Sequence, residues 1–400
     1  MPSSPAVAPD GPGRGGGNRG PRPRRRHQVV VQGRALGTRL RCRSLAGVTE
    51  PVGIDVFVRG LPKAELHVHL QGAASVPTVL ELARRHPSVG VPTDEARLRD
   101  FYSFTDFAHF IEVYISVNRL VRTAEDVQAL VTGLGRDLAQ VRVRYAEVTV
   151  TPDSHLQMGI APDAVAEALR RGRAEVLAEH GVELAWIFDI PGELGLESGV
   201  RTIDWVARHR PEHSVAFGLG GPEVGVPRDQ FGPVFRRARE LGLRCVPHAG
   251  ETTGPQTIRD SIELLGADRI GHGIAAAQDA ALMSELVDRG IVLEVCPTSN
   301  VRTRAVPTID AHPFPVLRAA GVRVTLNTDD PGMFDTDLNR EYLTAHQVFG
   351  LDAPALVELA REAVRASFAG QPTRARLLAE IDTYAADRSA SRAEPGSRHR

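Results

Sequence analysis

Lysine, cysteine and long apolar runs are all scarce in this 400-residue chain, and each scarcity excludes something. Three cysteines (Cys42, Cys245, Cys296), none in a C-x-x-C pair, argue against a disulfide framework and a thiolate zinc site. The reducing cytosol is then the expected compartment. No run of 18 apolar residues occurs, so no membrane span and no membrane partner is expected. At 42% hydrophobic and 24% charged, the composition suits a globular protein, not a disordered or collagen-like one. The single lysine is Lys63; arginine stands almost everywhere else, as GC-rich coding would favour.

A net charge of −1 conceals an asymmetry. Residues 1–50 carry ten arginines and two acids, net +8, while the other 350 hold 38 bases and 47 acids, net −9. Gly11 to Arg26 is almost entirely Gly, Pro and Arg and cannot bury an apolar face. Residues 1–53 therefore read as a disordered tail, or as translated sequence upstream of the true start codon. A basic arm for nucleic acid is the rival reading, and it predicts binding that vanishes when residues 1–50 are cut. A secretion signal fails, because Gln32, Gly33 and Arg34 interrupt the apolar run that starts at Val29. Residues 389–400 read as a second tail.

From residue 54 to 388 the pattern turns rhythmic. Strands are expected near Ala64–Leu70, Arg142–Thr149, Glu183–Ile190, Ser214–Leu219, Leu243–Ala249, Arg269–His272, Ile291–Cys296 and Val322–Thr328. Each is a brief apolar run, as parallel strands buried on both faces require. Segments of helical spacing lie between them, among them Pro162–His180, Phe231–Leu241, Thr257–Leu265, Ala280–Gly290 and Pro313–Gly321. Eight alternations predict one α/β domain, a (β/α)₈ TIM barrel. The first crossover, Gln71 to Val141, is long enough for several helices, and Leu351–Arg388 should add C-terminal ones. A doubly wound sheet is the runner-up, but no G-x-G-x-x-G follows the first strand.

Barrel chemistry sits at the C-terminal ends of strands. His67 and His69, two apart, leave strand 1 on the same face and can meet one ion. His248 ends strand 5, His272 strand 6, and Asp329-Asp330 strand 8, each beside glycine or proline. One histidine at a barrel end could be a hydrogen-bonded cap, and Asp before Pro-Gly a turn starter. Four strand ends supplying such residues together argue for a metal site. Three imidazoles and one carboxylate suit Zn²⁺ with a position open for water, whose pKa falls toward ~7. Lys63 precedes strand 1 at the wrong end to bridge two ions, so one zinc per chain is expected. Glu251, three residues past His248, could donate a proton to a ring nitrogen, and His272 could orient the water and take its proton. Phe104, Phe107, Phe110 and Tyr114 make one helical face. They are either core packing or a wall over the barrel mouth that excludes water.

Leu61-Pro-Lys-Ala-Glu-Leu-His-Val-His69, His248-Ala-Gly-Glu251, Gly271-His-Gly273, Cys296-Pro-Thr-Ser-Asn300 and Asn327-Thr-Asp-Asp-Pro331 resemble the adenosine deaminase family of the amidohydrolase superfamily. The resemblance runs in order from about Leu61 to Ala386. It implies that His67, His69, His248 and Asp329 bind zinc, that Glu251 protonates purine N1, and that His272 holds the attacking hydroxide. Asp330 would meet N7, and the N–H of Gly221 would meet N3. Where the family has an aspartate for the ribose 5′-hydroxyl, this chain has Gln71. Gly218 and Thr149 also depart from the common pattern, and Gly221-Pro222-Glu223 stands for the usual Gly-Asp-Glu. With Phe104–Phe110, Asp189–Glu193 and Phe217–Pro227, these departures resemble the aminodeoxyfutalosine deaminase branch. Its substrate, on the futalosine route to menaquinone, carries an anionic carboxyphenyl-ketone arm in place of the 5′-hydroxyl. Loss of a carboxylate at position 71 suits that arm. Adenosine deaminase, acting on adenosine or 2′-deoxyadenosine, is the alternative. The expected partner is thus a small nucleoside and not nucleic acid. An inert nucleoside binder would be expected to lack Glu251 or a metal ligand, and none is missing. The cytidine-type zinc deaminases are excluded, since their H-x-E and P-C-x-x-C ligands are absent.

Overall fold

The computed structural model describes residues 53–393 apart from 104 and 106. Except for Gly53, the tail read over 1–53 lies outside the described residues, as does Phe104. Eight parallel strands follow one another in chain order: β1 Lys63–His69, β2 Val143–Val150, β3 Glu183–Pro191, β4 Ser214–Gly220, β5 Arg244–Ala249, β6 Arg269–His272, β7 Val292–Val295 and β8 Val324–Leu326. Every expected strand is present, and the (β/α)₈ barrel is the fold. Among the described residues no helix is long and apolar enough to cross a membrane.

β8 is shorter than the expected Val322–Thr328, for a visible reason. At the seam with β1, side chains replace the backbone ladder. Leu66 N–H donates to Asn327 Oδ1 at 3.0 Å, and Thr328 N–H to Glu65 Oε1 at 3.0 Å. The barrel then closes where His69 N–H donates to the Asp329 carbonyl (2.9 Å) and Asp329 N–H to that of His67 (3.0 Å). Closure itself therefore brings Asp329 beside both histidines of β1.

The long first crossover holds four α-helices, Val76–Arg85, Glu95–Phe101, Phe107–Asn118 and Ala124–Gln140. Thr123 and Asp126 form a reciprocal capping box on the last of them. At the other end of the chain, helices Ala353–Ala366 and Gln371–Ala393 cover the barrel, the second running past the expected boundary at 388. Their connection reaches into the barrel floor. Phe368 packs against Ile187, Ala216 and Val246, and its ring lies 3.8 Å from the Arg269 guanidinium. Arg269 is buried and fully partnered: Nε donates to Glu294 at 2.6 Å, Nη2 to Glu147, and Nη1 to the Ala366 carbonyl at 2.8 Å. A buried charge is tolerated only when paired in this way.

Lys63 lies at the N-terminal end of the barrel, as expected. Its Nζ donates to the carbonyls of Val58 (2.7 Å), Leu61 (2.8 Å) and Val141 (3.2 Å), tying the first helix and the crossover to β1. Lys63→Met will leave these carbonyls without their buried donor, at about 1–3 kcal/mol for an unsatisfied group. A lowered Tm with unchanged KM is the expected result, and an unchanged Tm would refute it.

Candidate active site

The expected residues meet at the C-terminal mouth. His67 and His69 project from β1, and their Nε2 atoms lie 3.4 and 3.2 Å from Asp329 Oδ1. The His248 ring is centred 4.6 Å from that of His67 and 5.2 Å from that of His69. These imidazoles lie against β6, where a Cβ on Gly271 would come within 2.8 Å of both His248 and His67. Only a glycine leaves that space. His67, His69 and His248 form one group of ligand atoms close enough to hold a metal ion, and His67, His272 and Asp329 form an overlapping second one.

Several features fit an ion there. His67 Nε2 is buried without a hydrogen-bond partner, a rare and costly state for a polar atom. Its Nδ1 lies 2.9 Å from Glu294 Oε2. A carboxylate can only accept, so Nδ1 carries a proton, and Nε2 is the nitrogen left to meet an ion. Asp329 Oδ2 accepts from Ser299 Oγ at 2.6 Å, which fixes the carboxylate. The backbone at Asp329 (φ 66°) and His272 (φ 60°) is left-handed, strain of the kind that gathers at functional sites.

Glu251 faces this cluster, its Oε2 3.6 Å from His272 Nε2. Burial, helped by nearby Asp329 and Glu223, pushes its carboxyl up to about 8, so it is protonated at neutral pH. Thr303 Oγ1 donates to its Oε1 at 3.1 Å. Glu223 holds the loop, accepting from the backbone N–H of Gly250 (2.9 Å) and Glu251 (2.8 Å). A cavity of about 460 Å³ opens beside Glu251, lined in part by Pro222, Val224, Thr303 and Arg304.

Asp330 is buried with Oδ1 unpartnered, and burial with the charge of Asp329 raises its carboxyl above the usual range. A Cβ on Gly72 would fall 1.5 Å from that oxygen, so Gly72 makes its room. Gln71 is buried on the β1 side, its Nε2 3.4 Å from Nε2 of His155, a histidine that burial holds neutral with its pKa lowered to about 4. Gly221 follows the end of β4, where a Cβ would collide with Glu193. Of the aromatic face, Phe110 is buried in the core and Tyr114 is half-buried against it. The Phe110 ring meets that of Phe334, four residues after Asp330, at a tilt of 38°, and burial with Asp330, Asp189 and Asp329 raises the Tyr114 phenol. Glu223, Glu294, Ser299, Thr303, Asn300 and His155 were not foreseen as site residues. Three of them, Ser299, Asn300 and Glu223, stood inside the Cys296–Asn300 and Gly221–Glu223 motifs without a role assigned.

Fold and site together define a (β/α)₈ barrel with a histidine–aspartate cluster at its mouth that could hold a metal ion. The profile described as "Adenosine deaminase" matches residues 62–384. The chain belongs to the adenosine deaminase family, and it is a hydrolytic deaminase. It is 52% identical over 359 residues to aminodeoxyfutalosine deaminase of Streptomyces coelicolor, covering 89% of this chain and 93% of that one. To the protein of the same name from Streptomyces avermitilis it is 54% identical over 332 residues, covering 82% and 93%. The solved structure of adenine deaminase from Arthrobacter aurescens superposes with a TM-score of 0.77 at 31% identity, covering 82% of this chain and 99% of that one.

Proposed function

We propose that this protein hydrolyses the 6-amino group of aminodeoxyfutalosine, releasing ammonia, with one Zn²⁺ held by His67, His69, His248 and Asp329. The observation that carries it is the meeting, in one site, of a three-histidine cluster and Glu251, whose Oε2 lies 3.6 Å from His272 Nε2. The two relatives at over half identity support the choice of nucleoside.

Bound there, zinc supplies Lewis acidity and a water acidic enough to attack near neutral pH. The remaining work falls to side chains. Glu251 gives its proton to purine N1 as oxygen adds to C6, so the ring's charge is neutralised as it develops. Asp330, with one oxygen unpartnered and a carboxyl that burial holds above the usual carboxylate range, is placed to hydrogen-bond N7. The Gly221 N–H meets N3. His272, whose Nε2 lies 3.6 Å from Glu251 Oε2, would meet the oxygen that adds at C6. Tyr114 and Phe110 exclude water above the purine, which strengthens each of these polar contacts.

Gln71 and its neutral neighbour His155 leave the 5′ end without a carboxylate, which favours an anionic arm over a 5′-hydroxyl. The test is kcat/KM on aminodeoxyfutalosine and adenosine side by side. The first should be preferred, and a wild type that prefers adenosine would return the protein to the plain adenosine deaminase reading. Gln71→Asp should shift the ratio toward adenosine on the order of tenfold, about 1.4 kcal/mol. An unchanged ratio would mean that Gln71 does not face the 5′ position.

A further inference from the structure

His67 and His272 are both buried imidazoles at the same cluster, yet opposite partners meet their Nδ1 atoms. Nδ1 of His67 meets the Glu294 carboxylate, whereas Nδ1 of His272 lies 3.1 Å from Asn300 Nδ2. An amide offers either a donor or an acceptor, so the second contact alone does not say which nitrogen of His272 carries the proton. The chain beyond Asn300 does. Asn300 Oδ1 lies 3.2 Å from His312 Nε2, and the backbone N–H of Phe314 donates to His312 Nδ1 at 3.1 Å. A backbone N–H can only donate, so His312 Nδ1 holds a lone pair and its proton sits on Nε2. That proton is donated to Asn300 Oδ1, the Asn300 amide N–H is donated to His272 Nδ1, and the His272 proton is left on Nε2. The reverse amide orientation would ask both nitrogens of His312 to accept, which a neutral imidazole cannot do. Burial keeps His312 neutral, lowering it to about 4. Asn300, His272 and His312 are all buried, so bulk water does not compete for these contacts.

We propose that Phe314 N–H, His312 and Asn300 form a relay that locks His272 with its Nε2–H aimed into the site, as a donor to the oxygen that adds at C6. Asn300 and His312 are positioning residues in it. His272 then has no lone pair facing the cluster. It is therefore neither a base for water nor a metal ligand, and the ion is left to His67, His69 and His248 with Asp329. This replaces the proton-accepting role expected for His272 from its place in the sequence. The inference rests on the deaminase reading for the identity of the oxygen, but the tautomer and the metal content can be measured without any substrate.

Asn300→Asp keeps the shape and turns the Nδ1 partner of His272 into an obligate acceptor, which draws the proton to Nδ1. Long-range ¹H–¹⁵N spectra of histidine-labelled holoenzyme, with His272 assigned by its loss in His272→Ala, should show Nε2–H in the wild type and Nδ1–H in Asn300→Asp. With that donor gone, kcat should fall on the order of 10²-fold, within the range for one lost oxyanion donor, while KM stays within threefold and zinc content is unchanged. His312→Leu should lower kcat about tenfold, and His312→Gln, which keeps a donor at the Nε2 position, should restore most of it. An Nδ1–H tautomer in the wild type would overturn the relay whatever the substrate proves to be. So would a wild-type kcat in Asn300→Asp, or zinc lost in step with its activity. Wild-type kcat in His312→Leu would remove His312 from it; if that variant does not fold, the wild-type and Asn300→Asp spectra decide.

Discussion

Glu251→Gln will keep its zinc and lose ~10²–10⁴-fold in kcat/KM, the range typical of a general acid. The glutamine can still accept from Thr303 Oγ1, so the loop that Glu223 pins should stay in place. What the amide cannot do is release a proton to N1. Glu251 is suited to that step because burial, reinforced by Asp329 and Glu223, lifts its carboxyl to about 8 and keeps it protonated where an exposed glutamate would be ionised. Steady-state kinetics beside metal analysis of the same preparation make the check. A variant within a few-fold of wild type would show that another group is the acid.

Asp329→Ala will lose metal and turnover together, activity falling by on the order of 10³-fold or more as several kcal/mol of Lewis-acid stabilisation disappear. The backbone at this position is left-handed, so alanine also adds strain. Asp329→Asn separates the two effects, because asparagine tolerates that conformation while removing the charge that faces His67 and His69. It should lose zinc as well. His67→Ala should behave alike, since its unpartnered Nε2 is the atom the ion would satisfy. Elemental analysis of desalted protein gives the count. Two ions per chain, or full activity after chelation, would sink the mononuclear reading.

His67-Val-His69 was legible as a ligand pair because strand geometry alone puts residues two apart on one face. His248, His272 and Asp329 followed from the same logic at other strand ends, and the rhythm of short apolar runs supported the barrel. Tautomers and ionisation states were not legible. Nothing local distinguishes His67 from His272, each a histidine at the end of a barrel strand; Glu294 and Asn300, 227 and 28 residues away, make them different. Glu223 lies 28 residues before the loop it holds, and sequence spacing gave no sign that its carboxylate reaches the N–H of Glu251.

The sequence by itself determined the order of eight strands and the residues at their C-terminal ends, because burial on both faces writes short, continuous apolar runs rich in β-branched residues that need no partner to be read. It also determined that no carboxylate stands at position 71. Only the tertiary structure decided how far Glu251 and Asp330 are displaced from ordinary carboxylates, since desolvation and neighbouring charge depend on everything packed around them. It alone decided where the barrel closes, with Asn327 and Glu65 replacing backbone partners so that Asp329 swings beside His67 and His69. Side-chain hydrogen bonds between strands distant in sequence have no period, and so leave no trace until the chain is folded.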